Sequence, residues 1–441
     1  MPILDDSSPV GDVSEGLNGG MKSTKQSTTG SFSGVNVSAS PMPGWPGLVD
    51  SRAAWDGSAM TDETYTYTLS EADILEIEAA LSHFKDLGLD GEEVNRVNFP
   101  LPNLSKVLFS LASDLHFGLG FFALRGLDAA RYSREDNVLI FLGVSSYVGE
   151  QHGKQDDSGH IFAHIREAKF MVHNQRSRPI RDSNLPSAFH TDPFCDILAM
   201  QTRSLAAKGG NHIVSSTLQV YHTLLAERSD LIPVLAAPNW PFDTRGILTP
   251  PDFRPLLYYH DGRIMMNFFR DPLTGVKGYA RSENMPHLTP IQREALDFVQ
   301  AAAQRYQRPL RMNPGDLTFI NNLGLLHARE GFEDSEQHVR YLVRLWLKNA
   351  EMAWSLPAPL EIGNRRIYED GGEVDEDWNI VYKPRLHFDV VERMSPFLSS
   401  VLFSLPPGHQ IAPQSLSDPG FPLAAVGPTS SPYRSRANFL A

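Results

Sequence analysis

The run His338-Val339-Arg340-Tyr341-Leu342-Val343-Arg344-Leu345-Trp346-Leu347 decides how this chain must fold. Side chains along a strand alternate between faces, so Tyr341, Val343, Leu345 and Leu347 share one side. Arg340, Leu342, Arg344 and Trp346 share the other. Apart from the two arginines both sides are apolar, which marks a strand buried on both faces. A guanidinium there cannot shed its proton and is costly unless a carboxylate or phosphate meets its fork. Either internal Asp or Glu partners serve each arginine, or one or both anchor a small dicarboxylate or an acidic substrate.

Working outward, further short β-rich runs occupy 161–165, 196–201, 256–259, 264–268 and 317–320. His260-Asp261-Gly262 between two of them reads as a hairpin. Met312-Asn313-Pro314-Gly315-Asp316 marks a turn before another. Two helical stretches interrupt, around 217–237 and 290–306. Upstream the texture is helical. Ser70 followed by Glu71 and Asp73, with Ile74, Ile77, Ala80, Leu81 and Phe84 at helical spacing, predicts a helix over 70–85. Helices are also expected over 104–114 and 137–148, with a buried strand at Phe121-Phe122-Ala123-Leu124. The pattern predicts an α+β chain whose strands form a β-sandwich or jelly roll with helices packed outside.

The 441 residues carry 39 Lys+Arg against 52 Asp+Glu, a formal charge of −13, and 41% are hydrophobic. That composition excludes whole-chain disorder. The acidic balance argues against a nucleic-acid partner, because phosphate binding needs a basic footprint. No run of 18 apolar residues predicts a membrane span. Met1-Pro2-Ile3-Leu4-Asp5-Asp6 lacks the features of a secretory signal, and the single cysteine, Cys195, forms no intrachain disulfide. A cytoplasmic protein is expected. Residues 1–45, rich in Ser, Gly, Thr and Pro, read as a flexible arm, and 405–441 as a loosely attached tail. Between them, 46–400 reads as one domain, helical over about 65–150 and β-rich over about 160–350.

One cysteine leaves metal chemistry to histidines and carboxylates. Fifteen histidines among this many acids give about two His-x-Asp/Glu matches by chance. Two exist, His190-Thr191-Asp192 and His387-Phe388-Asp389. Residues two apart on a strand or its exit point the same way, so an imidazole and a carboxylate can converge on one cation. An open iron site with two His and one carboxylate needs a distant second histidine. His190 has one in His327, where an apolar run and a polar turn (Phe319-Ile320-Asn321-Asn322-Leu323-Gly324-Leu325-Leu326-His327-Ala328-Arg329) lead to the imidazole. After His387 only His409 remains, so that pair is read as structural. Asp196 is a less favoured ligand, four residues beyond Asp192 on the same strand face. His160 and His164 have helical metal spacing but no third ligand. Cys195 reads as a small buried apolar residue.

His190-x-Asp192, His327 and Arg340 in this order resemble the iron(II)/2-oxoglutarate dioxygenases of the taurine dioxygenase family, in the clavaminate synthase-like superfamily, particularly its fungal branch. Lys208-Gly209-Gly210-Asn211 and Ala237-Pro238-Asn239-Trp240-Pro241-Phe242-Asp243 add to the likeness, which spans roughly 95–350. The resemblance implies a double-stranded β-helix (jelly roll) with helices packed outside. It implies His190, Asp192 and His327 as the iron triad and Arg340 on the distal carboxylate of 2-oxoglutarate. Arg344 would lie near the substrate or support the pocket. The retained carboxylate at 192 argues against the halogenating relatives.

Two departures from the family pattern stand out. Where members often carry a Thr that holds the co-substrate, Asn211-His212 follows the glycines. Either His212 donates there, or Ser215 or Ser216 does, or His212 faces solvent from a loop. Pro186-Ser187-Ala188-Phe189 replaces the polar residues of taurine-specific members, so taurine is not the expected substrate. The resemblance implies oxidation of a small organic molecule, by hydroxylation or desaturation, coupled to decarboxylation of 2-oxoglutarate to succinate by O2. The helical insertions and segment 160–186 would shape the substrate mouth. A place in secondary metabolism is expected. The alternative is a non-catalytic or 2-oxoglutarate-independent metal-binding jelly-roll protein.

Overall fold

The computed structural model describes residues 41–156, 158–168, 180–243, 253–275, 281–283, 285–369 and 375–381. Most of the expected N-terminal arm, the tail from 405 and the pair His387/Asp389 lie outside these residues.

The strand Tyr341–Lys348 sits at the middle of the architecture. It pairs antiparallel with Ile197–Ser204 on one side and with Gln151–Gly153 and Ala163–Ile165 on the other. Ile197–Ser204 pairs with Leu317–Asn321, then come Phe121–Arg125 and, in parallel, Thr66–Thr68. Among the described residues these seven strands form one sheet. A second sheet runs in the order Arg308–Leu310, His212–Ser216, Leu325–Arg329 and Ser187–His190.

The alternation expected for the central strand is realised. Val343, Leu345 and Leu347 enter a core with helices Glu71–Asp86, Leu104–Phe117 and Arg134–Ser145, behind the large sheet. Leu342 and Trp346 face a different core, shared with Leu198, Met200 and Ile320 of the large sheet and Val214 and Leu325 of the small one. Two sheets therefore face each other across a common interior, each backed by helices. Burying a side chain such as Leu342 or Val214 contributes on the order of 1.5–3 kcal/mol, so this interior is a main source of stability.

Local chemistry sets the helix boundaries. Ser70 Oγ accepts from the amide of Asp73 and the Asp73 carboxylate accepts from the amide of Ser70, so the first helix starts on a reciprocal cap. The third helix lies at Arg134–Ser145, three residues earlier than expected, because Ser133 caps the amide of Asp136. The stretch expected around 217–237 is two helices, Thr217–Glu227 and Leu231–Ala236. Pro233 explains the break, since a continuous helix would drive its ring into the carbonyl of Ser229. The expected hairpin joins Leu257–His260 to Arg263–Met266 through Asp261 and Gly262, both at positive φ, a two-residue turn that matches strand twist.

The helices Thr217–Glu227, Leu231–Ala236 and Pro290–Arg305 pack behind the small sheet, against the outward Phe189, Leu326 and Ala328. They cover an apolar face and do not line the central cavity, contrary to the expectation that they shape its mouth. Of the segments named for that role, only 160–186 reaches it, through Ile165, Ile180 and Arg181.

Candidate metal centre

His190 ends the strand Ser187–His190 and His327 lies inside Leu325–Arg329. These strands are antiparallel neighbours with His190 opposite His327, so register alone brings two residues 137 apart into contact. Their ring centroids stand 4.2 Å apart. Strand parity points Leu325, His327 and Arg329 inward and sends Leu326 and Ala328 to the outer core.

Asp192 follows on the crossing from the small sheet to the large one. Pro193 biases it to an extended backbone. Its amide donates to Asn322 Oδ1 (2.7 Å), while Asn322 Nδ2 donates to the carbonyls of Asp192 (2.9 Å) and Cys195 (2.8 Å). Phe194, next in the crossing, has φ +60, a strained conformation for a bulky residue. Helix Ala358–Tyr368 holds it there. Asn364 Nδ2 donates to the Phe194 carbonyl (2.8 Å), and a Cβ on Gly363 would lie 2.3 Å from the Phe194 ring.

His190, Asp192 and His327 form the one group of potential metal ligands among the described residues, their donor atoms all within 4.8 Å of one another. Asp192 Oδ1 lies 3.7 Å from His327 Nε2 and 4.0 Å from His190 Nε2. Those separations are too long for hydrogen bonds and suit three ligands around a shared cation. His190 Nδ1 lies 2.9 Å from the carbonyl of Ala188. Only an N–H satisfies a carbonyl, so Nε2 keeps its lone pair free for a metal. Burial, then the neighbouring His327, lowers the pKa of His190 and keeps its ring neutral. Burial raises that of Asp192, but the Arg344 guanidinium, with His327 and His190, outweighs it and holds the carboxyl well below the usual range. Two imidazoles and one carboxylate fit a divalent cation of the iron(II) type.

Arg340 is fully buried, with Nε donating to the carbonyl of Gly210 (2.8 Å). Its Nη1 and Nη2 are buried without a hydrogen-bond partner. Burial, with help from Arg329, pulls its pKa down to about 9, still high enough to keep the charge at neutral pH. A desolvated cation with two idle donors is costly unless an anion meets it. Gly210, at φ +79, makes the approach feasible: a Cβ there would lie 2.7 Å from Arg340 Cδ.

His212 starts the strand His212–Ser216 and faces inward, buried and lining the same cavity as His190 and His327. It is not a solvent-facing loop histidine, and its buried Nδ1 has no partner. Burial, then Arg340 and His327, push its pKa well down, so it is a neutral donor or acceptor. Ser216 is taken up as the cap of Gln219 and as donor to the carbonyl of Ala53. Arg344 meets Asp192: its Nη1 lies 2.9 Å from Oδ2.

The other candidates fall away from the centre. Asp196 is buried against Asn364 (2.5 Å). His160 stands between Asp156 and Asp377, and His164 on a strand contacts Tyr341 and the carbonyl of Asn379. Cys195 is fully buried, and burial raises its thiol pKa well above the ordinary value, so it is unreactive at neutral pH. Contributors that escaped the sequence reading include Asn322, Trp346, whose Nε1 donates to Asp192 Oδ2 (2.7 Å), and Gln155, whose Oε1 accepts from Arg344 Nε (2.8 Å). Asn322 stood inside the quoted run before His327, and Trp346 shared a strand face with Arg344. Arg329 also matters, since its Nη2 donates to the carbonyls of Ile180, Ser183 and Leu185 and ties down the segment before His190.

Comparison with known proteins agrees with this geometry. The family described as "Taurine catabolism dioxygenase TauD, TfdA family" matches residues 83–346. The taurine hydroxylase-like protein SAT17 of Stachybotrys chartarum is 34% identical over 333 residues, 73% of this chain and 86% of that one. FR-33289 synthase of Streptomyces rubellomurinus is 26% identical over 329 residues, 71% and 93% of the two chains. Among solved structures, asparagine oxygenase in complex with Fe(II), 2S,3S-3-hydroxyasparagine and succinate superposes with a TM-score of 0.51 at 16% identity, over 64% of this chain and 93% of that one. That last likeness is one of fold. The chain belongs to the TauD/TfdA family of iron(II)/2-oxoglutarate-dependent dioxygenases.

Proposed function

We propose that His190, Asp192 and His327 hold iron(II), and that Arg340 and His212 receive 2-oxoglutarate, in a double-stranded β-helix formed by the two facing sheets. The observation that carries this reading is the buried guanidinium of Arg340, whose two terminal nitrogens lack partners, immediately before the strand that supplies the Asp192 contact. A dicarboxylate answers both needs. One carboxylate takes the fork of Arg340, and the other end is left for the metal. His212, neutral and inward, is placed to donate to the bound acid.

Iron(II), when bound, supplies the redox chemistry that couples decarboxylation of 2-oxoglutarate with O2 to oxidation of a substrate C–H bond. In the hydroxylation the atoms balance as substrate, O2 and 2-oxoglutarate giving hydroxylated substrate, succinate and CO2. The protein's own part is positioning and exclusion of water. Register fixes the two imidazoles, and Asn322 fixes the backbone of Asp192. Ile165, Leu198, Met200 and Ile320 give the cavity an apolar wall, which suits a small organic substrate presenting a C–H bond to the centre. We take 46–400 as a single dioxygenase domain and place the protein in the cytoplasm, on its acidic composition and single cysteine. Among the described residues no helix is long and apolar enough to cross a membrane.

The test is succinate formation by purified protein given iron(II), ascorbate, O2 and 2-oxoglutarate. The expected result is chelator-sensitive succinate that Arg340→Ala abolishes. Succinate at the same rate in Arg340→Ala would contradict the assignment of that residue.

A further inference from the structure

Asp192 presents its two carboxylate oxygens to different neighbours. Oδ1 faces the imidazole nitrogens of His327 and His190. Oδ2 accepts from Trp346 Nε1 at 2.7 Å and lies 2.9 Å from Arg344 Nη1. Both groups come from one face of the central strand, two residues apart, so one element holds one oxygen by a hydrogen bond and an ion pair. The indole N–H meets Oδ2 with a hydrogen bond, and the Arg344 guanidinium meets the same oxygen as an ion pair.

The grip is itself held. Arg344 Nε donates to Gln155 Oε1 (2.8 Å), and Gln155 Nε2 donates back to the carbonyl of Arg344 (2.8 Å) and to that of Ile161 (2.6 Å). Nε of Arg344 is thus hydrogen-bonded, and Nη1 ion-paired, inside the protein. Trp346 is 2% exposed, and a buried indole N–H needs an acceptor. The carboxylate supplies it.

We propose that Arg344 and Trp346 are positioning residues that hold Asp192 to one-oxygen coordination of the cation, leaving the adjacent coordination position for 2-oxoglutarate. This rests on the reading of His190, Asp192 and His327 as the iron ligands, and it assigns Arg344 to the ligand carboxylate and not to an anionic group of the substrate. With Oδ2 released, the carboxylate is free to turn and offer both oxygens to the cation, competing with the second donor atom of the co-substrate. Partners behind metal ligands are typically worth about 10–100-fold in affinity or activity.

The experiment uses full-length protein without oxygen, with Co(II) as a spectroscopic substitute for iron(II), followed by 2-oxoglutarate. Trp346→Phe removes one N–H and keeps a ring. Arg344→Gln removes the charge, and Arg344→Lys restores it with a single ammonium. Both Trp346→Phe and Arg344→Gln are expected to change the visible Co(II) absorption before co-substrate is added. Both are expected to weaken 2-oxoglutarate binding at least tenfold, with Arg344→Lys recovering part of the loss. The double variant should lose less than the product of the singles, since both act on one oxygen. An unchanged Co(II) spectrum and unchanged 2-oxoglutarate affinity in both single variants would overturn the proposal. If Arg344→Gln does not fold, as judged by circular dichroism, Trp346→Phe alone decides it. Failure of the wild-type protein to bind Co(II) or iron(II) would instead strike the metal reading itself.

Discussion

His190 and His327 stand directly opposite each other on antiparallel strands, and that register is what brings two candidate metal ligands together from distant segments. A slip of one residue would turn His327 into the outer core and bring Leu326 or Ala328 inward. The apolar outward residues Phe189, Leu326 and Ala328 hold the register, because a one-residue shift would take them out of the outer core. Packing behind the sheet therefore sets geometry in front of it.

Arg340→Ala should weaken 2-oxoglutarate binding by about 2–4 kcal/mol, the usual range for truncating one partner of a desolvated charge pair. Anaerobic titration calorimetry with the metal-loaded protein measures it. Affinity within twofold of wild type would mean that the dicarboxylate sits elsewhere.

Gly210→Ala tests the same contact from the other side. The added methyl would lie 2.7 Å from Cδ and 2.8 Å from Nε of Arg340, at a backbone φ of +79. The expected outcome is a stability loss of about 1–3 kcal/mol from strain and crowding. Loss of 2-oxoglutarate affinity should accompany it, although the arginine itself is intact. Unchanged affinity would show that Arg340 can move without consequence.

Gly363→Ala probes the turn behind Asp192. Its Cβ would lie 2.3 Å from the ring of Phe194, which the strained crossing cannot easily move. Overpacking of this kind costs about 1–3 kcal/mol, and the urea midpoint should fall. Because Phe194 is two residues from Asp192, metal affinity should fall with it. A stable variant with normal metal binding would remove helix Ala358–Tyr368 from the account of the site.

How much of this was legible in the sequence divides along physical lines. Alternation along 340–347 read correctly because a strand's parity is a local property, and it placed Leu342, Arg344 and Trp346 together. The spacing of His190, Asp192 and His327 was legible because ligand chemistry restricts residue type. The partners of Asp192 were not, since Asn322, Arg344 and Trp346 arrive from 130 to 154 residues away and no local pattern encodes that meeting. The helices at 217–236 and 290–305 were assigned to the cavity mouth because amphipathic spacing reveals an apolar face but not which sheet face it covers. The φ of Phe194 had no sequence signal, as a bulky residue is the last expected in a left-handed turn.

Asp196 should give the stability a distinctive pH dependence. Burial raises its pKa from 3.8 to about 6, against a hydrogen bond from Asn364 that lowers it. The folded state then binds the proton more tightly than the unfolded state. This group's contribution is neutral below about pH 4 and turns destabilising as the pH rises through 6, reaching about 3 kcal/mol at most. Asp196→Asn removes the ionisation, so wild type minus variant stability should fall between pH 4 and 6 and then level off. Urea denaturation at pH 4.5 and 7.5 measures this, and a pH-independent difference would mean that Asp196 is ionised throughout.

The most direct test of the central claim is anaerobic addition of iron(II) and then 2-oxoglutarate to wild type and His327→Ala. The account predicts a visible metal-to-ligand charge-transfer band in wild type that requires both additions and is absent from the variant. A band of equal intensity in His327→Ala, or none in wild type with both added, would contradict it.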